Sequence, residues 1–201
     1  MKRGRFIVFE GIDGAGKSTQ AHLLIQWLRR QGIKAVYASN PSRFPIGHFI
    51  REHLSGNFKT SPESLQILFT ADRAYQLEKL VIPSLRKGIW VIGDRYILST
   101  LAYGGLDIKD VSWLRELNRK CLEPDLTVLL RISPKEAMRR IHRERSSKEI
   151  FEKRQKIVAV EKNYEKLAKG ARKIKVLDGQ KSIQGIQRDI QFLIRALARQ
   201  S

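Results

Sequence analysis

A glycine-rich segment between a short apolar run and a helical pattern leaves few folds open to this chain. It reads Gly11-Ile12-Asp13-Gly14-Ala15-Gly16-Lys17-Ser18 and matches the pattern G-x-x-x-x-G-K-S/T. The apolar run is Phe6–Phe9, and apolar side chains recur at helical spacing in residues 17–31. Glycines let consecutive backbone N–H groups face one anion, and the following helix N-terminus adds a favourable dipole. The segment therefore predicts a phosphate-binding loop, or P-loop.

Strand and helix patterns alternate along the rest of the chain. Further apolar strands are predicted at residues 35–38, 89–92, 126–132 and 174–177. Capping boxes at Thr60 with Glu63 and at Ser133 with Glu136 predict the starts of two helices, and Pro83 predicts a kink or break in the first. Buried strands that alternate with helices are typical of an α/β domain with a mainly parallel sheet.

Length and composition favour one intracellular domain. The chain has 201 residues, so we expect a single domain over residues 1–201, with a lid segment at about 139–150. The one cysteine, Cys121, excludes a disulfide framework and favours a reducing compartment. The first apolar run ends at Glu10 and is too short for a signal-peptide core or a membrane span. We therefore expect a cytoplasmic protein without a membrane partner.

The chain carries a large excess of positive charge. The formal net charge is +19, and residues 134–175 contain 15 basic and 6 acidic side chains. Such charge attracts nucleotides, nucleic acids or acidic lipids and does not choose among them. A solvated helical face explains the local excess equally well. Because the sequence contains no RNA- or DNA-binding motif, we expect no specific nucleic-acid partner.

The residue types of the P-loop suit a nucleoside triphosphate with its metal ion. Lys17 can reach the β- and γ-phosphates, and the Ser18 hydroxyl can ligate Mg²⁺. We therefore expect ATP and Mg²⁺ as cofactors. The predicted cofactor-binding residues are Gly11, Ile12, Asp13, Gly14, Ala15, Gly16, Lys17, Ser18 and Thr19. GTPases, motor ATPases and small-molecule kinases all carry this motif, so it does not select a reaction.

Asp94 and Arg95 follow the predicted strand at residues 89–92. The carboxyl end of that strand is expected beside the P-loop, where open parallel sheets bind their ligands. Asp94 could hold Mg²⁺ through water, which makes Ser18 and Asp94 the predicted metal-binding residues. The planar guanidinium of Arg95 could bind a phosphate through two hydrogen bonds. A simple ion pair between Asp94 and Arg95 is the alternative.

The predicted helix at residues 63–76 has an apolar stripe that turns polar at Asp72, Arg73 and Gln76. Such a stripe is typical of a helix that faces a cleft. Phe69 and Arg73 are four residues apart and share a face that suits a nucleobase, although a core phenylalanine beside a solvated arginine is the alternative. Hydroxyl and phenol groups follow the Asp94–Arg95 segment at Ser99, Thr100 and Tyr103.

A cluster of arginines follows the second capping box. Its members are Arg139, Arg140, Arg143 and Arg145. Arginines on a closing segment neutralise the charge that spreads over a transferred phosphoryl group and exclude water. We expect Arg143 or Arg145 to be catalytic, and their spacing does not choose between them.

These motifs together resemble the thymidylate kinase family of P-loop nucleoside-monophosphate kinases. The resemblance extends from Phe6 to about Asp189 and rests on residues 9–20, 68–73, 94–96 with Ser99, and 102–103. It implies an α/β fold, a P-loop NMP-kinase-like five-stranded parallel sheet with helices on both faces and a short basic lid. It also implies Mg²⁺-dependent phosphoryl transfer from ATP to dTMP, which gives dTDP and ADP for dTTP synthesis, and a homodimer.

The resemblance assigns roles to residues of this sequence. Asp13 is expected near the acceptor sugar and the transferred phosphate, and Arg95 on the acceptor phosphate. Phe69 is expected to stack on thymine, Arg73 to hydrogen-bond it, and Tyr103 to lie against the deoxyribose and disfavour a 2′-hydroxyl. Ser99 and Thr100 match positions that contact base or phosphate. The expected catalytic residues are Lys17, Asp13, Arg95, Arg143 and Arg145.

Three segments depart from the family pattern. Gly14 stands where one type of member has a P-loop arginine, which favours an arginine supplied by the lid. In Asn40-Pro41-Ser42-Arg43, we align Arg43 with a phosphate-binding arginine, and Ser42 replaces a carboxylate of some members. Gly104 replaces the glutamine of the frequent sequence Ala-Tyr-Gln-Gly. If Arg43 and Arg95 face one pocket, the acceptor is a monophosphate rather than a free nucleoside.

Two alternative functions remain open from the sequence alone. One is a kinase for another pyrimidine nucleotide or deoxynucleotide, or for a deoxynucleoside. The other is a basic ATP-binding protein associated with nucleic acid, which the net charge of +19 motivates.

Overall fold

The computed structural model describes residues 3–141 and 147–199, and the side chains of residues 147–153 and 199 lie outside the description. Its strands are β1 Phe6–Glu10, β2 Ala35–Ser39, β3 Trp90–Asp94, β4 Leu126–Arg131 and β5 Ile174–Asp178. They form one five-stranded sheet in the order β2-β3-β1-β4-β5, with parallel pairing throughout. The predicted parallel sheet is confirmed, and every predicted strand end agrees within two residues.

Helices connect the strands and extend beyond the last one. They are α1 Lys17–Arg30, α2 Pro45–Leu54, α3 Pro62–Gln76, α4 Ile82–Arg86, α5 Ile97–Ser99, α6 Gly105–Asp107, α7 Val111–Leu117, α8 Pro134–Ile141, α9 Ser147–Ala168 and α10 Ile183–Arg199. Two π-helical stretches, Leu77–Val81 and Thr100–Gly104, lie between successive helices.

The central strand β1 is buried on both faces. Ile7 and Phe9 belong to the apolar cluster that α1, α9 and α10 complete on one side of the sheet. Phe6 and Val8 belong to a second cluster, which the helical segment at residues 77–85 completes on the other side. Because both faces pack against helices, β1 is an unbroken apolar run rather than an alternating one. The prediction of helices on both faces is confirmed.

The first predicted capping box is displaced by one residue. The Ser61 hydroxyl, not that of Thr60, accepts a hydrogen bond from the N–H of Ser64 (3.1 Å) and caps α3. Ser61 is extended, and the fixed φ of Pro62 then begins the helix. The second box has the predicted first contact, since Ser133 Oγ accepts from the N–H of Glu136 (3.2 Å).

The helical path continues through Pro83 without a break. Helix α3, the π-helical stretch Leu77–Val81 and α4 follow one another from residue 62 to residue 86, and Pro83 lies in the first turn of α4. Proline cannot donate a backbone hydrogen bond, and a π-helical turn ahead of it is one way in which a helix accommodates that loss. The predicted kink or break is therefore a local change of helical geometry.

Helices within residues 3–141 and 147–199 are too short or too polar to cross a membrane. The predicted lid at about 139–150 includes the end of α8, the start of α9 and residues 142–146, which lie outside the described ranges. The lid and the single-domain boundary stay predictions.

Candidate functional site

The P-loop fits closely between β4 and α8. Gly11 has a φ of 138°, and a Cβ atom there would lie 2.5 Å from the carbonyl oxygen of Leu130. Gly14 has a φ of 80°, and a Cβ atom there would lie 2.9 Å from the carbonyl oxygen of Ala137 in α8. L-residues rarely adopt such φ values, so only glycine fits both positions without strain. The close approach of α8 also leaves little room for an arginine at position 14.

Lys17 is the first residue of α1 and is only 7% exposed. Its Nζ donates a hydrogen bond to the carbonyl oxygen of Ile12 (2.8 Å), which holds the ammonium group over the loop. Burial, with the nearby Arg95 guanidinium, lowers the pKa of Lys17 from its usual 10.5 to about 8. A bound polyphosphate would supply the negative charge that this buried ammonium group lacks.

A cavity of about 830 Å³ opens over the P-loop. The loop from Asp13 to Thr19 lines it together with Asp94, Arg95 and Arg140. Lys181 and Ser182, just before α10, and Ile183, its first residue, also line the cavity. The cavity has the size and the positive charge for a nucleoside triphosphate, and we refer to it as the donor cavity.

Ser18 and Asp94 meet at the floor of the donor cavity. The Ser18 hydroxyl donates a hydrogen bond to Oδ2 of Asp94, and the phenol of Tyr37 donates to the same oxygen (2.8 Å). Burial and the Asp94 carboxylate raise the pKa of Tyr37, so its phenol stays protonated and remains a donor. One hydroxyl and one carboxylate are hard oxygen ligands that suit Mg²⁺, which usually keeps several waters and binds substrate phosphates. The predicted pair Ser18 and Asp94 therefore fits this ion.

Arg95 lies at the junction between the P-loop and the segment after β3. Its backbone has a φ of 68°, an unusual conformation for a residue other than glycine. One guanidinium nitrogen donates to Asp13 Oδ1 (2.5 Å) and to the Tyr103 phenol (3.2 Å). The other donates to the Gly11 carbonyl (3.2 Å) and to Ser99 Oγ (3.0 Å). These contacts fix the planar fork. Among the described residues Arg95 forms its ion pair with Asp13 and not with Asp94, so the alternative of a simple Asp94–Arg95 ion pair is wrong.

A fully buried carboxylate, Glu10, organises the segment that follows Arg95. Its Oε1 accepts hydrogen bonds from the backbone N–H groups of Tyr96 (2.7 Å) and Ser99 (3.1 Å). Its Oε2 accepts from Ser99 Oγ (2.5 Å) and from the phenol of Tyr164 on α9 (3.0 Å). Four donors satisfy a charge that would otherwise be very costly to bury. Glu10 thereby couples β1, α9 and the Arg95 segment.

A second cavity of about 250 Å³ adjoins the donor cavity and brings together most of the predicted acceptor residues. Seven predicted residues line it: Asp13, Phe69, Arg73, Arg95, Ser99, Thr100 and Tyr103. Asp13, Arg95, Asn40 and Pro41 line both cavities, so the two share a wall where a phosphoryl group could pass between them. We refer to this second space as the acceptor cavity.

Arg73 is almost completely buried at the inner end of the acceptor cavity. It is 1% exposed, and it donates hydrogen bonds to Asn118 Oδ1 and to Thr100 Oγ1 (2.8 Å). Its Nε has no partner among the described residues. Burial lowers the pKa of Arg73, yet a guanidinium remains charged in proteins. The alternative of a solvated arginine is excluded.

Arg43 does not face the same pocket as Arg95. It lines a separate cavity of about 370 Å³ with His22 and Tyr37, and it is absent from the lining of both the donor and acceptor cavities. Arg51 of α2 lines the donor cavity instead, and its Nη1 donates to the carbonyl oxygen of Ser42 (2.5 Å). The expected shared pocket of Arg43 and Arg95 is therefore wrong. Arg43 lies in the irregular segment after β2 and is exposed, whereas Arg51 on α2 lines the donor cavity together with the P-loop.

Of the four arginines near the predicted lid, the structure describes Arg139 and Arg140. Both Arg139 and Arg140 form ion pairs with Glu136, and only Arg140 also donates to the carbonyl oxygens of Gly14 (3.3 Å) and Gly179 (3.1 Å). Arg143 and Arg145 lie outside the described residues, so their catalytic role stays a prediction.

Sequence reasoning missed several residues of the site. They are Glu10, Tyr37, Arg51 and Tyr164. A carboxylate directly after a buried apolar strand was a usable signal for Glu10. The others depend on partners far away in the sequence and carry no local pattern.

The P-loop follows a central parallel strand, and a cavity for a second ligand adjoins it. These two features are typical of P-loop phosphotransferases of the nucleotide-kinase class. The sequence model described as "Thymidylate kinase" matches residues 9–190 of this chain. The chain belongs to the thymidylate kinase family.

Curated relatives agree with this family assignment. A probable thymidylate kinase of Thermococcus gammatolerans is 42% identical over 95% of this chain and 96% of the relative. A probable thymidylate kinase of Pyrococcus abyssi is 36% identical over 96% of this chain and 97% of the relative. A thymidylate kinase of Synechococcus sp. is 41% identical over 68% of this chain and 71% of the relative. The comparisons give no support to either alternative function.

Proposed function

We propose that this chain is a nucleoside-monophosphate kinase that transfers the γ-phosphate of ATP to dTMP and gives dTDP and ADP. The observation that carries the proposal is the shared wall of the donor and acceptor cavities, formed by Asp13, Asn40, Pro41 and Arg95. Membership of the thymidylate kinase family supplies the identity of the acceptor.

On the donor side, backbone N–H groups of the P-loop and Lys17 bind the phosphates of ATP. The ammonium group of Lys17 is already held over the loop by Ile12, so little reorganisation is needed when ATP binds. Ser18 and Asp94 would hold Mg²⁺, which neutralises charge on the phosphate oxygens.

On the acceptor side, Phe69 offers a ring face to the base and Arg73 offers guanidinium donors to its carbonyl oxygens. Arg95 binds the acceptor phosphate with its fork, and Asp13 keeps that fork oriented (2.5 Å). A phosphate oxygen of dTMP attacks the γ-phosphorus, the bond to the ADP oxygen breaks, and the arginines stabilise the charge on the transferred group.

The source of the remaining positive charge belongs to the same proposal. Arg140 already reaches the P-loop carbonyl of Gly14. We propose that Arg143 and Arg145, on the predicted lid, join it when ATP and dTMP are bound. This arrangement agrees with a P-loop that has glycine at position 14.

We further propose a cytoplasmic homodimer. Phe49 and Leu54 of α2 and Ile67 of α3 are each at least half exposed, and these two helices pack together. Large apolar side chains that remain exposed on adjacent helices favour burial against a second copy. Light scattering coupled to size-exclusion chromatography tests the dimer directly.

A coupled ADP-release assay with Mg²⁺-ATP tests the proposal. We expect dTMP to stimulate ADP release, and Arg95→Ala to reduce that turnover by about a hundredfold or more. Arg95→Lys keeps the charge without the fork and should recover little of it. Arg115→Ala, an exposed arginine on α7, is the matched control and should behave like the unmodified chain. No stimulation by dTMP would refute the proposal.

A further inference from the structure

Gln66 is a buried polar residue on the wall of the acceptor cavity. It lies on α3 one turn before Phe69 and two turns before Arg73, so the three side chains share one helical face. All three residues line the acceptor cavity, and Gln66 is 6% exposed. The face therefore presents an amide, an aromatic ring and a guanidinium in succession.

The amide oxygen of Gln66 is one of the buried polar atoms without a hydrogen-bond partner among the described residues. Seven side-chain atoms in the described part of the chain share this property, and three of them belong to residues that line the acceptor cavity: Gln66 Oε1, Asn40 Oδ1 and Arg73 Nε. Buried polar atoms without partners are rare and costly, and their concentration at one cavity points to a polar ligand that completes them.

Gly104 makes room for this amide. A Cβ atom at position 104 would lie 2.8 Å from Cδ of Gln66 and 3.0 Å from its Oε1, so the Gln66 side chain occupies the space of any larger residue there. The amide that fills this space belongs to Gln66 on α3.

We propose that Gln66 is a specificity-determining residue for the acceptor base, and that its Oε1 accepts a hydrogen bond from the ring N3–H of the base. The proposal rests on the proposed function, which places a pyrimidine beside Phe69. Thymine and uracil have one ring N–H once N1 carries the sugar, whereas cytosine has an unprotonated N3. The guanidinium of Arg73 has no acceptor atom, so the amide of Gln66 supplies what Arg73 cannot.

Gln66→Leu tests the proposal because it keeps most of the side-chain volume and removes the amide. The initial-rate assay measures kcat and KM for dTMP, dCMP and N3-methyl-dTMP. We expect the KM for dTMP to rise about tenfold, with the KM for ATP unchanged. We expect the preference for dTMP over dCMP to fall by a similar factor, because leucine is indifferent to the protonation of N3. The penalty for N3-methylation should also shrink in Gln66→Leu.

Gln31→Leu provides the matched control, since it makes the same chemical change at an exposed glutamine that lines neither cavity. An unchanged preference for dTMP over dCMP in Gln66→Leu would overturn the proposal. If that variant does not fold, the unmodified chain decides: an equal KM for dTMP and N3-methyl-dTMP would overturn the proposal, and a KM at least tenfold higher for N3-methyl-dTMP would support it. A chain that phosphorylates dTMP yet shows equal values would refute the role of Gln66 alone. A chain that does not phosphorylate dTMP would refute the proposed function.

Discussion

Replacing Lys17 with methionine should make the nucleotide-free protein more stable while abolishing phosphate binding. Lys17 is 7% exposed, and burial lowers its pKa from 10.5 to about 8. Each unit of pKa shift corresponds to 1.36 kcal/mol, so the buried ammonium group costs about 3 kcal/mol at pH 7. Methionine removes that cost and also removes the hydrogen bond to the Ile12 carbonyl, which is worth about 1 kcal/mol. The net gain is about 2 kcal/mol.

The stability that Lys17→Met gains should decrease as the pH rises above 8. Below pH 8, Lys17 is protonated in both the folded and unfolded chains, and the full cost of burying the charge is present. Between pH 8 and 10.5, the pKa of Lys17 in the unfolded chain, the unfolded chain binds more protons than the folded chain. The cost of burying Lys17 therefore decreases as the pH rises, and the unmodified chain becomes more stable. At about pH 9.5 the remaining cost is about 1 kcal/mol and is balanced by the lost hydrogen bond.

Urea unfolding and thermal denaturation of the nucleotide-free chain measure this effect. Lys17→Met should raise Tm by about 4–8 °C at pH 7 and by little at about pH 9.5. Lys34→Met, at an exposed lysine, controls for loss of one charge. Mg²⁺-ADP should raise the Tm of the unmodified chain and not that of Lys17→Met. A variant less stable than the unmodified chain at pH 7 would refute the reasoning about the buried ammonium group.

Three further substitutions probe the site. Glu10→Gln removes the charge that four donors share, and it should lower the free energy of unfolding by about 3 kcal/mol. Urea titration measures this loss, and an unchanged unfolding midpoint would contradict it. Gly14→Ala places a methyl group 2.9 Å from the carbonyl oxygen of Ala137 at positive φ and should lower stability by about 2 kcal/mol in the same titration, together with ATP affinity measured by calorimetry. Phe69→Ala should raise the acceptor KM about tenfold or more through lost stacking and leave the ATP KM unchanged, whereas a rise in the ATP KM alone would argue against a base at Phe69.

The sheet was predictable because its information is local. Each strand is an apolar run bounded by turn residues, and the P-loop pattern fixes the first strand–loop–helix unit. The position of the acceptor cavity was also predictable in part. Phe69 and Arg73 share a helical face, and Asp94-Arg95 ends a strand next to β1, so regular geometry brings these residues together.

The remainder of the site depends on geometry that sequence spacing does not contain. Arg43 lies in an irregular segment, where no periodicity fixes the direction of a side chain, and it faces a different cavity from the one expected. The sequence shows Arg73 only as a polar residue on a predicted helix. Its burial depends on hydrogen bonds to Asn118 and Thr100, which are 45 and 27 residues away. Glu10 likewise finds donors near residue 96 and at residue 164.

The capping error at α3 has a similar origin. Thr60 and Glu63 satisfy the sequence pattern of a capping box, but Ser61 lies directly before Pro62 and provides the hydroxyl that the helix uses. Two neighbouring hydroxyl residues offer the same local chemistry, and only the backbone conformation chooses between them.

Phosphoryl transfer across a panel of acceptors tests the central claim most directly. The panel consists of dTMP, dUMP, UMP, CMP, GMP and thymidine, each supplied with Mg²⁺-ATP in a coupled ADP-release assay. A phosphate clamp at Arg95 and a base site at Phe69 and Arg73 predict the highest kcat/KM for dTMP. Turnover of UMP or thymidine above that of dTMP would contradict the assignment of the acceptor.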